Sequence, residues 1–283
     1  MKKCFAAALV CCLLFCFTPA VLADGQLEEA DTAMVYIDGL LTCRGYNSPQ
    51  GAMIRLEDMC AFFGVEAGSS YDESTGALSI LGRGFSLETS LDSNILHVNE
   101  RYIHTDERFT VGPNGRCYFP ISTVQRLFGM KALVSEGGKR IDLDSSEAAL
   151  PAGGVSYYSD TFGADNVYWL EHIVNAEAGG QPLEGMVGVA NVVLNRMNDH
   201  RYPDNVHDVV FDDRVSVQFP PTVEGTIYKE PSEWACIAAR LALEGYNTVQ
   251  DAIFFIDPVN AVDSSWTAGY IFITKIGDHE FYK

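Results

Sequence analysis

The chain has 283 residues, with 19 lysines and arginines against 38 aspartates and glutamates, which gives a formal net charge of −19 at pH 7. This acidity excludes nucleic acid and anionic membrane surfaces as preferred partners, because both would be repelled. The length suffices for two domains, each large enough to bury its own core.

The first 23 residues have the pattern of a secretory signal peptide. Two lysines precede an apolar run over residues 4–17, and a Val-Leu-Ala sequence ends at Ala23. The run is shorter than the roughly 20 apolar residues that a membrane-spanning helix needs. We therefore predict a signal peptide over residues 1–23 and an exported protein without a membrane span.

Four cysteines lie beyond the predicted signal peptide, namely Cys43, Cys60, Cys117 and Cys236. They are too few and too widely spaced for a disulfide-rich scaffold, and no two have the spacing of a zinc site. One disulfide within the first domain stays open as an alternative. No metal and no other cofactor is predicted.

Residues 33–144 contain an internal repeat. Each copy has a strand, a hairpin, a short helix and two further strands, and the helices end at Gly64 and Gly129, as is typical of left-handed caps. This arrangement resembles the copper amine oxidase N-terminal-like module of secreted bacterial proteins, which implies a wall-associated or spacer domain. Its histidines, His97 and His104, lack a second ligand at a suitable spacing, so the name implies no copper chemistry.

Composition marks the boundary between the two domains. Residues 145–164 are rich in Ser, Gly, Ala and Pro and predict a linker. From 165 to 283 the pattern changes to helices followed by a short β region. We therefore predict an α+β protein with a duplicated hairpin and short-helix module over 33–144 and a second α+β domain over 165–283.

The first helix of the second domain is predicted over residues 166–178 and ends before two glycines. Its apolar residues form one stripe, and Glu177 lies inside that stripe between Leu170 and Ile173. A carboxylate in this position faces the interior or a cleft, where burial raises its pKa above roughly 4.3. Glu177 is therefore a candidate general acid, although periodicity alone predicts equally well a solvated residue at a frayed helix end.

The remaining elements of the second domain are predicted to supply its core. Helices are expected over 183–197 and from Ser232 to Gly245. Arg196 lies off the apolar stripe and is expected to be solvated, with a position lining a cleft as the alternative. A strand over 252–256 and a hairpin of residues 270–274 and 279–282 follow. Aromatic and hydroxyl side chains on such a sheet can line a sugar groove.

Several motifs follow one another from Tyr168 to Lys283: NAEAGG around Glu177, then Gln218-Phe219, AARLALEG and a final TKIGDHEFYK. They resemble the spore-cortex-lytic cell wall hydrolases of the SleB and CwlJ type. The resemblance implies a small lysozyme-like fold and peptidoglycan as the partner. It further implies a lytic transglycosylase that cleaves between N-acetylmuramic acid and N-acetylglucosamine with Glu177 as catalytic acid, located in the cell wall or the spore cortex and acting in germination.

Pro220 and the Ile256-Asp257 pair depart from the family pattern, which affects the expected substrate contacts but not Glu177. Weaker candidates for sugar contact, for which a core or surface role fits equally, are Gln218, Phe219, Trp266, Thr274 and Tyr282. Attack by water would need a second carboxylate roughly 5 to 9.5 Å from the acid. The candidates for it, none of them distinguished by pattern, are Glu184, Asp208, Asp212, Asp213 and Glu224. Transglycosylation needs no such partner and is favoured.

Two other classes of function stay open. A zinc amidase or peptidase of the wall would recruit His172 and Glu177, but a spacing of five places the two side chains well apart around a helix. A wall-binding protein with an inactive hydrolase domain would bind peptidoglycan sacculi without releasing muropeptides.

Overall fold

The computed structural model describes residues 31–261 and 263–283, so the predicted signal peptide over 1–23 lies outside the described residues. None of the helices in the described ranges is both long enough and apolar enough to cross a membrane. Two hydrophobic cores organise the chain: one is built from residues between 33 and 143, and the other from residues between 170 and 281.

Strands dominate the first part of the chain, where two short helices interrupt them, and helices dominate the second part. The strands are β1 Thr32–Ile37, β2 Leu40–Ser48, β3 Gly51–Ile54, β4 Ala67–Tyr71, β5 Ala77–Gly82, β6 Phe85–Ser90, β7 Ile95–Val98, β8 Arg101–His104, β9 Thr110–Val111, β10 Cys117–Pro120, β11 Lys131–Ser135, β12 Arg140–Asp144, β13 Phe254–Ile256, β14 Phe272–Ile276 and β15 His279–Tyr282. The helices are α1 Leu56–Phe62, α2 Ile121–Phe128, α3 Gly154–Phe162, α4 Ala164–Ala178, α5 Leu183–Met197, α6 Val206–Val210, α7 Pro221–Glu224 and α8 Glu233–Leu243.

Two sheets enclose the first core. One sheet has the strand order β11-β12-β1-β2-β3-β10-β9, and the other is the meander β4-β5-β6-β7-β8. Strand β12 pairs in parallel with β1, with Val35 opposite Ile141, whereas the neighbouring pairs are antiparallel. Inward-facing residues such as Val35 in the first sheet and Ile80 in the second are fully buried in the same cluster, which makes one shared core.

The short helices α1 and α2 are each followed by a glycine with left-handed backbone. Gly64 has φ of 73° and Gly129 has φ of 70°, the conformation that the sequence predicted for both caps. Cys43, Cys60 and Cys117 are buried in the first core, and no disulfide joins any two of the described cysteines. The disulfide that the sequence left open is therefore not formed by these cysteines.

The predicted linker over 145–164 differs from the structure. It contains helix α3, whose Tyr158 is buried and accepts a hydrogen bond from the Tyr102 backbone N–H at 3.1 Å. Its tyrosines and phenylalanine supply apolar area for packing, which outweighs the helix-breaking character of the glycines before it. The composition of residues 145–164 therefore did not reveal that this connection contains an ordered helix.

Helices α4, α5 and α8 pack around the second core, and the sheet β13-β15-β14 covers one side of them. Helix α5 has the predicted bounds, Leu183–Met197. The side chain of Ser232 accepts a hydrogen bond from the Ala235 backbone N–H at 3.3 Å and so caps the start of α8. Helix α4 begins two residues before the predicted start and has no side-chain cap.

The two parts of the chain meet at the C-terminal end of α8. Arg101 in β8 forms two parallel hydrogen bonds with the carboxylate of Glu244, at 2.7 and 2.8 Å, and the side chains are only 14% and 6% exposed. Arg126 donates to the Glu244 backbone carbonyl at 2.6 Å, and the ring of His104 stacks on that of Tyr246 with centroids 3.7 Å apart. A buried ion pair thus joins the two cores.

Arg101→Met tests this junction, because it leaves the Glu244 carboxylate buried without its partner. We expect the free energy of unfolding to fall by about 3 kcal/mol, as is typical when one member of a buried ion pair is removed. Arg140→Met is the matched control, since the side chains of Arg140 and its partner Asp142 are 36% and 32% exposed, and loss of this pair should cost much less. Urea unfolding measures both, and equal losses would contradict a junction that depends on Arg101.

Candidate active site

Glu177 lies in the last turn of α4, on the side of the helix that packs into the second core. Leu170, Ile173 and Val174 of the same helix are fully buried. The chain then turns at Gly179, where a Cβ atom would lie 2.6 Å from the backbone oxygen of Asn175. Only glycine fits this close approach, so the turn after α4 depends on it.

The carboxyl group of Glu177 is largely buried, and its Oε1 has no hydrogen-bond partner among the described residues. Removal from water disfavours the charged form and is the main reason that the pKa of Glu177 rises from its ordinary value of 4.5 to about 7. The negative charge of Glu224 raises it further, and the positive charge of Arg196 opposes both effects. The prediction that this carboxyl is held away from water is confirmed.

A cavity of about 490 Å³ opens beside Glu177, a volume within the range of ligand sites, roughly 300 to 1,000 Å³. It lies between the end of α4 and the segment that carries α7. The residues that line it are Asn175, Ala176, Glu177, Pro220, Pro221, Glu224, Thr226 and Lys229. Glu224 ends α7, and Gly225 follows it with φ of 77°, a left-handed turn that glycine adopts without strain.

Arg196 was expected to be solvated, but it is only 4% exposed. Its Nε donates to the Ile253 carbonyl at 2.7 Å, and its guanidinium lies 5.1 Å from the ring centroid of Phe219 and 5.4 Å from that of Phe254. Its Nη1 is buried and has no hydrogen-bond partner in the described part of the chain. The sequence pattern missed this buried cation because the segment around 253 that covers it is distant along the chain.

Asn175 and Thr226 supply polar groups on the cavity wall. The Asn175 Oδ1 accepts a hydrogen bond from the backbone N–H of Ser232 at 3.0 Å. A backbone N–H can only donate, so this contact fixes which end of the amide is oxygen and leaves the Nδ2 as a donor. The Asn of the NAEAGG motif was the sequence signal for this residue, whereas nothing in the pattern distinguished Thr226 or Lys229.

The five predicted sugar contacts do not line this cavity. Phe219 is 1% exposed and packs in the core, so, unlike the prediction, its ring cannot touch a sugar. Gln218 is half-buried and its amide donates to Ser216. Tyr282 is buried on the end sheet, and its hydroxyl donates to Glu280 at 2.8 Å.

Trp266 and Thr274 remain accessible. Trp266 is 38% exposed, and its ring contacts Phe254 and Tyr270 at centroid distances of 5.9 and 5.6 Å. Thr274 lies half-buried in β14. Trp266, Phe254 and Tyr270 therefore form a partly exposed aromatic cluster beside the end sheet. The ring of Phe254 also contacts the buried guanidinium of Arg196.

Among the five candidate second carboxylates, Glu224 alone lines the cavity with Glu177. Asp208 accepts hydrogen bonds from Asn205 and the ring of His207, and Asp212 pairs with Arg214 at 2.8 Å. The structure thus distinguishes one carboxylate that the sequence pattern could not.

The alternative of a metal site involves His172. Its ring is buried, and its Nδ1 lies 2.7 Å from the Ile227 carbonyl oxygen, so one ring nitrogen is already engaged. Within the described ranges no group of three or more His, Cys, Asp or Glu side chains is arranged to hold a metal ion. The ring of His172 therefore positions the segment around Ile227 against α4.

The comparison with protein families matches the C-terminal part of the chain. Residues 180–282 match the family described as cell wall hydrolases, a range that begins three residues after Glu177. The chain is 33% identical over 138 residues to the spore cortex-lytic enzyme of Bacillus subtilis and 36% identical over 132 residues to that of Halalkalibacterium halodurans. These matches cover 49% and 47% of this chain but only 41% and 36% of the relatives, so the chain spans less than half of their length.

Two solved structures are also similar. The catalytic domain of the germination-specific lytic transglycosylase SleB from Bacillus anthracis is 31% identical, with a TM-score of 0.40, and the match covers 44% of this chain and 98% of that domain. The SleB catalytic domain of Bacillus cereus is also 31% identical with a TM-score of 0.40, over 47% of this chain and all of that domain.

Glu177→Gln should make the protein more stable at neutral and higher pH. The folded-state pKa of about 7 exceeds the ordinary 4.5. As the pH rises through this window the unfolded state loses the proton before the folded state does, so the wild-type protein loses stability. Glu177→Gln removes the charge, so its free energy of unfolding should exceed that of the wild-type protein by on the order of 3 kcal/mol at pH 8 and by almost nothing at pH 4. Denaturant unfolding at both pH values measures it, and a pH-independent difference would contradict a buried, destabilised carboxylate.

Proposed function

We propose that the protein cleaves the glycan strands of peptidoglycan with Glu177 as its general acid, since residues 180–282 match the family described as cell wall hydrolases. The observation that carries this proposal is the largely buried Glu177 carboxyl, with an unpartnered oxygen and a pKa of about 7, beside a cavity of about 490 Å³. A carboxylic acid that keeps its proton near neutral pH is the group that glycosidic bond cleavage requires.

The bond that we propose is cleaved joins N-acetylmuramic acid to N-acetylglucosamine. Glu177 donates its proton to the bridging oxygen as the bond from C1 of the muramic acid breaks, which leaves an oxocarbenium-like sugar. The Glu177 carboxylate then accepts the proton of the 6-hydroxyl of that sugar, and the hydroxyl oxygen forms a bond to C1. The product is a 1,6-anhydro sugar, the proton returns to Glu177, and no second carboxylate reacts.

The charges around Glu177 fit both halves of this cycle. Burial and the charge of Glu224 favour the neutral acid that begins the reaction. The buried guanidinium of Arg196 acts in the opposite direction and stabilises the carboxylate that forms after proton transfer. The site thus keeps both protonation states of Glu177 accessible near neutral pH.

Sugar binding in this proposal uses the polar wall of the cavity and the aromatic cluster. The Asn175 amide and the Thr226 hydroxyl are placed to bond hydroxyl or acetamido groups of the sugar at the cleaved bond. The partly exposed ring of Trp266 offers a stacking surface for a sugar further along the strand. Of the predicted sugar contacts, we retain Trp266 and Thr274.

The relatives are named spore cortex-lytic enzymes, which supports a more specific proposal about the substrate and the cellular location. Spore cortex-lytic enzymes match this chain over 43% to 49% of its length, which supports spore cortex peptidoglycan as substrate and a role in germination. The signal-peptide pattern over 1–23 supports export to the cell wall or cortex. Residues 33–144 then form a wall-associated or spacer domain, attached to the catalytic part through the Arg101–Glu244 ion pair.

One observation favours a second outcome of the same cleavage. Glu224 shares the cavity with Glu177, as the base of a hydrolase would. If Glu224 activates a water molecule, the product has a reducing end in place of the anhydro ring.

The test is mass spectrometry of the muropeptides released from purified peptidoglycan by the wild-type protein and by Glu177→Gln. We expect anhydro-muramic products from the wild-type protein and a loss of at least about a hundredfold in rate for the variant, since general acid catalysis contributes roughly 10² to 10⁴. Reducing-end products would favour the hydrolytic outcome with Glu224.

Three other results would contradict the proposal. Undiminished activity of Glu177→Gln would remove Glu177 from the mechanism, and activity abolished by a chelator would indicate a zinc amidase or peptidase. Binding to sacculi with no product from either protein would indicate a wall-binding protein without catalysis.

A further inference from the structure

Lys229 is the one basic side chain among the described residues that line the cavity beside Glu177. The other titratable groups of the lining are the carboxyl of Glu177, which keeps its proton up to about pH 7, and the carboxylate of Glu224. Glu230 follows Lys229 directly in the chain. In a protein with a net charge of −19, a lysine at this place would be expected to form an ion pair with a neighbouring carboxylate.

Lys229 forms no such pair within the described residues. Three of the other lysines do: Lys131 with Glu147, Lys275 with Glu280, and Lys283 with Asp251. The ammonium group of Lys229 is exposed, with no carboxylate oxygen of the described chain within 4.0 Å. It is therefore available to an anionic group that arrives with a ligand.

The backbone holds Lys229 at the cavity. The 3-10 turn Thr226–Tyr228 precedes it, and its Ile227 side chain is fully buried against α4. The carbonyl of Ile227 is in contact with the buried ring of His172, and the Lys229 N–H donates to the Thr226 carbonyl at 3.2 Å. The base of the Lys229 side chain thus has a defined position, while its ammonium end remains free to reach a ligand.

From this placement we propose that Lys229 binds a carboxylate of the peptide stem carried by the muramic acid at the cleaved bond, which makes it a specificity-determining residue. The inference rests on the proposed function. The glycan backbone is neutral, and the lactyl carboxyl of muramic acid is used in the amide bond to the stem, so the nearest anions on the substrate belong to the stem peptide. A lysine is suited to such a group as a flexible point charge.

The role of Lys229 is to attract a substrate that the rest of the protein repels. The net negative charge of the protein and the carboxylate of Glu224 in the cavity disfavour the approach of an anionic stem. An ion pair with Lys229 offsets that repulsion at one point and selects strands whose muramic acid still carries a charged stem.

The experiment compares two substrates that differ only in charge. One is purified sacculi, and the other is the same sacculi with the stem carboxylates converted to neutral methylamides by a carbodiimide. For the wild-type full-length chain, we expect amidation to raise KM roughly two- to fivefold, the size of an exposed ion pair, with little change in kcat. Lys229→Met should show the raised KM on both substrates, and Lys229→Arg should behave like the wild-type chain.

Lys139→Met is the matched control, since it removes the same charge from an exposed turn of the first part of the chain. It should keep the wild-type preference. Equal KM values for wild type on the two substrates, or a preference that survives in Lys229→Met, would overturn the inference while leaving the proposed function intact. Failure of the wild-type chain to cleave either substrate would instead be a failure of the proposed function.

Discussion

The burial of one carboxyl group, that of Glu177, is the constraint on which the rest of the site depends. An ionised carboxylate with an unpartnered oxygen would be costly in this position, so the group keeps its proton up to about pH 7. The elements around it maintain this state. Helix α4 directs the side chain inward, and α7 brings Glu224 close enough to repel the charged form.

Helix α8 connects this site to the first part of the chain. Its first turn is next to the cavity, because the Ser232 N–H donates to Asn175. Glu244 follows its last turn and accepts hydrogen bonds from Arg101 and Arg126 of the first part of the chain. The eleven residues between them make a rod of about 16 Å. One helix thus contacts both the wall of the cavity and the first part of the chain.

Local patterns predicted much of the second core and identified Glu177 as the candidate acid. Helix α5 has the predicted bounds. The apolar stripe of α4 left two positions of Glu177 equally open, inward-facing or solvated at a frayed helix end, and the buried Oε1 shows that the carboxyl faces inward. Both the bounds of α5 and the apolar stripe of α4 follow from periodicity, which is a local property of the sequence. Strand β15 also has its predicted bounds, whereas α8, β13 and β14 differ from the prediction by one to a few residues, since element ends are set by packing as well as by pattern. The short helices α6 and α7 were not predicted.

Tertiary contacts decided the points that the sequence could not predict. Arg196 is buried because residues near 253 cover it, and the ring of Phe219 belongs to the core because it packs under that guanidinium. Helix α3 forms in a segment of linker composition because Tyr158 finds a partner in β8. The same holds for Glu224, since only the fold places its carboxylate, and not that of Asp212 or Asp208, beside Glu177.

The most direct test of this account is the pH dependence of kcat/KM for peptidoglycan cleavage by the wild-type protein and by Glu224→Gln. Glu177 must be protonated to act, so kcat/KM of the wild-type protein should fall as the pH rises through about 7. Glu224→Gln removes a charge that raises the pKa of Glu177, so the fall should move to lower pH while the maximal rate is retained. An unchanged profile would contradict the account, and a loss of activity at every pH would show that Glu224 itself takes part in the reaction.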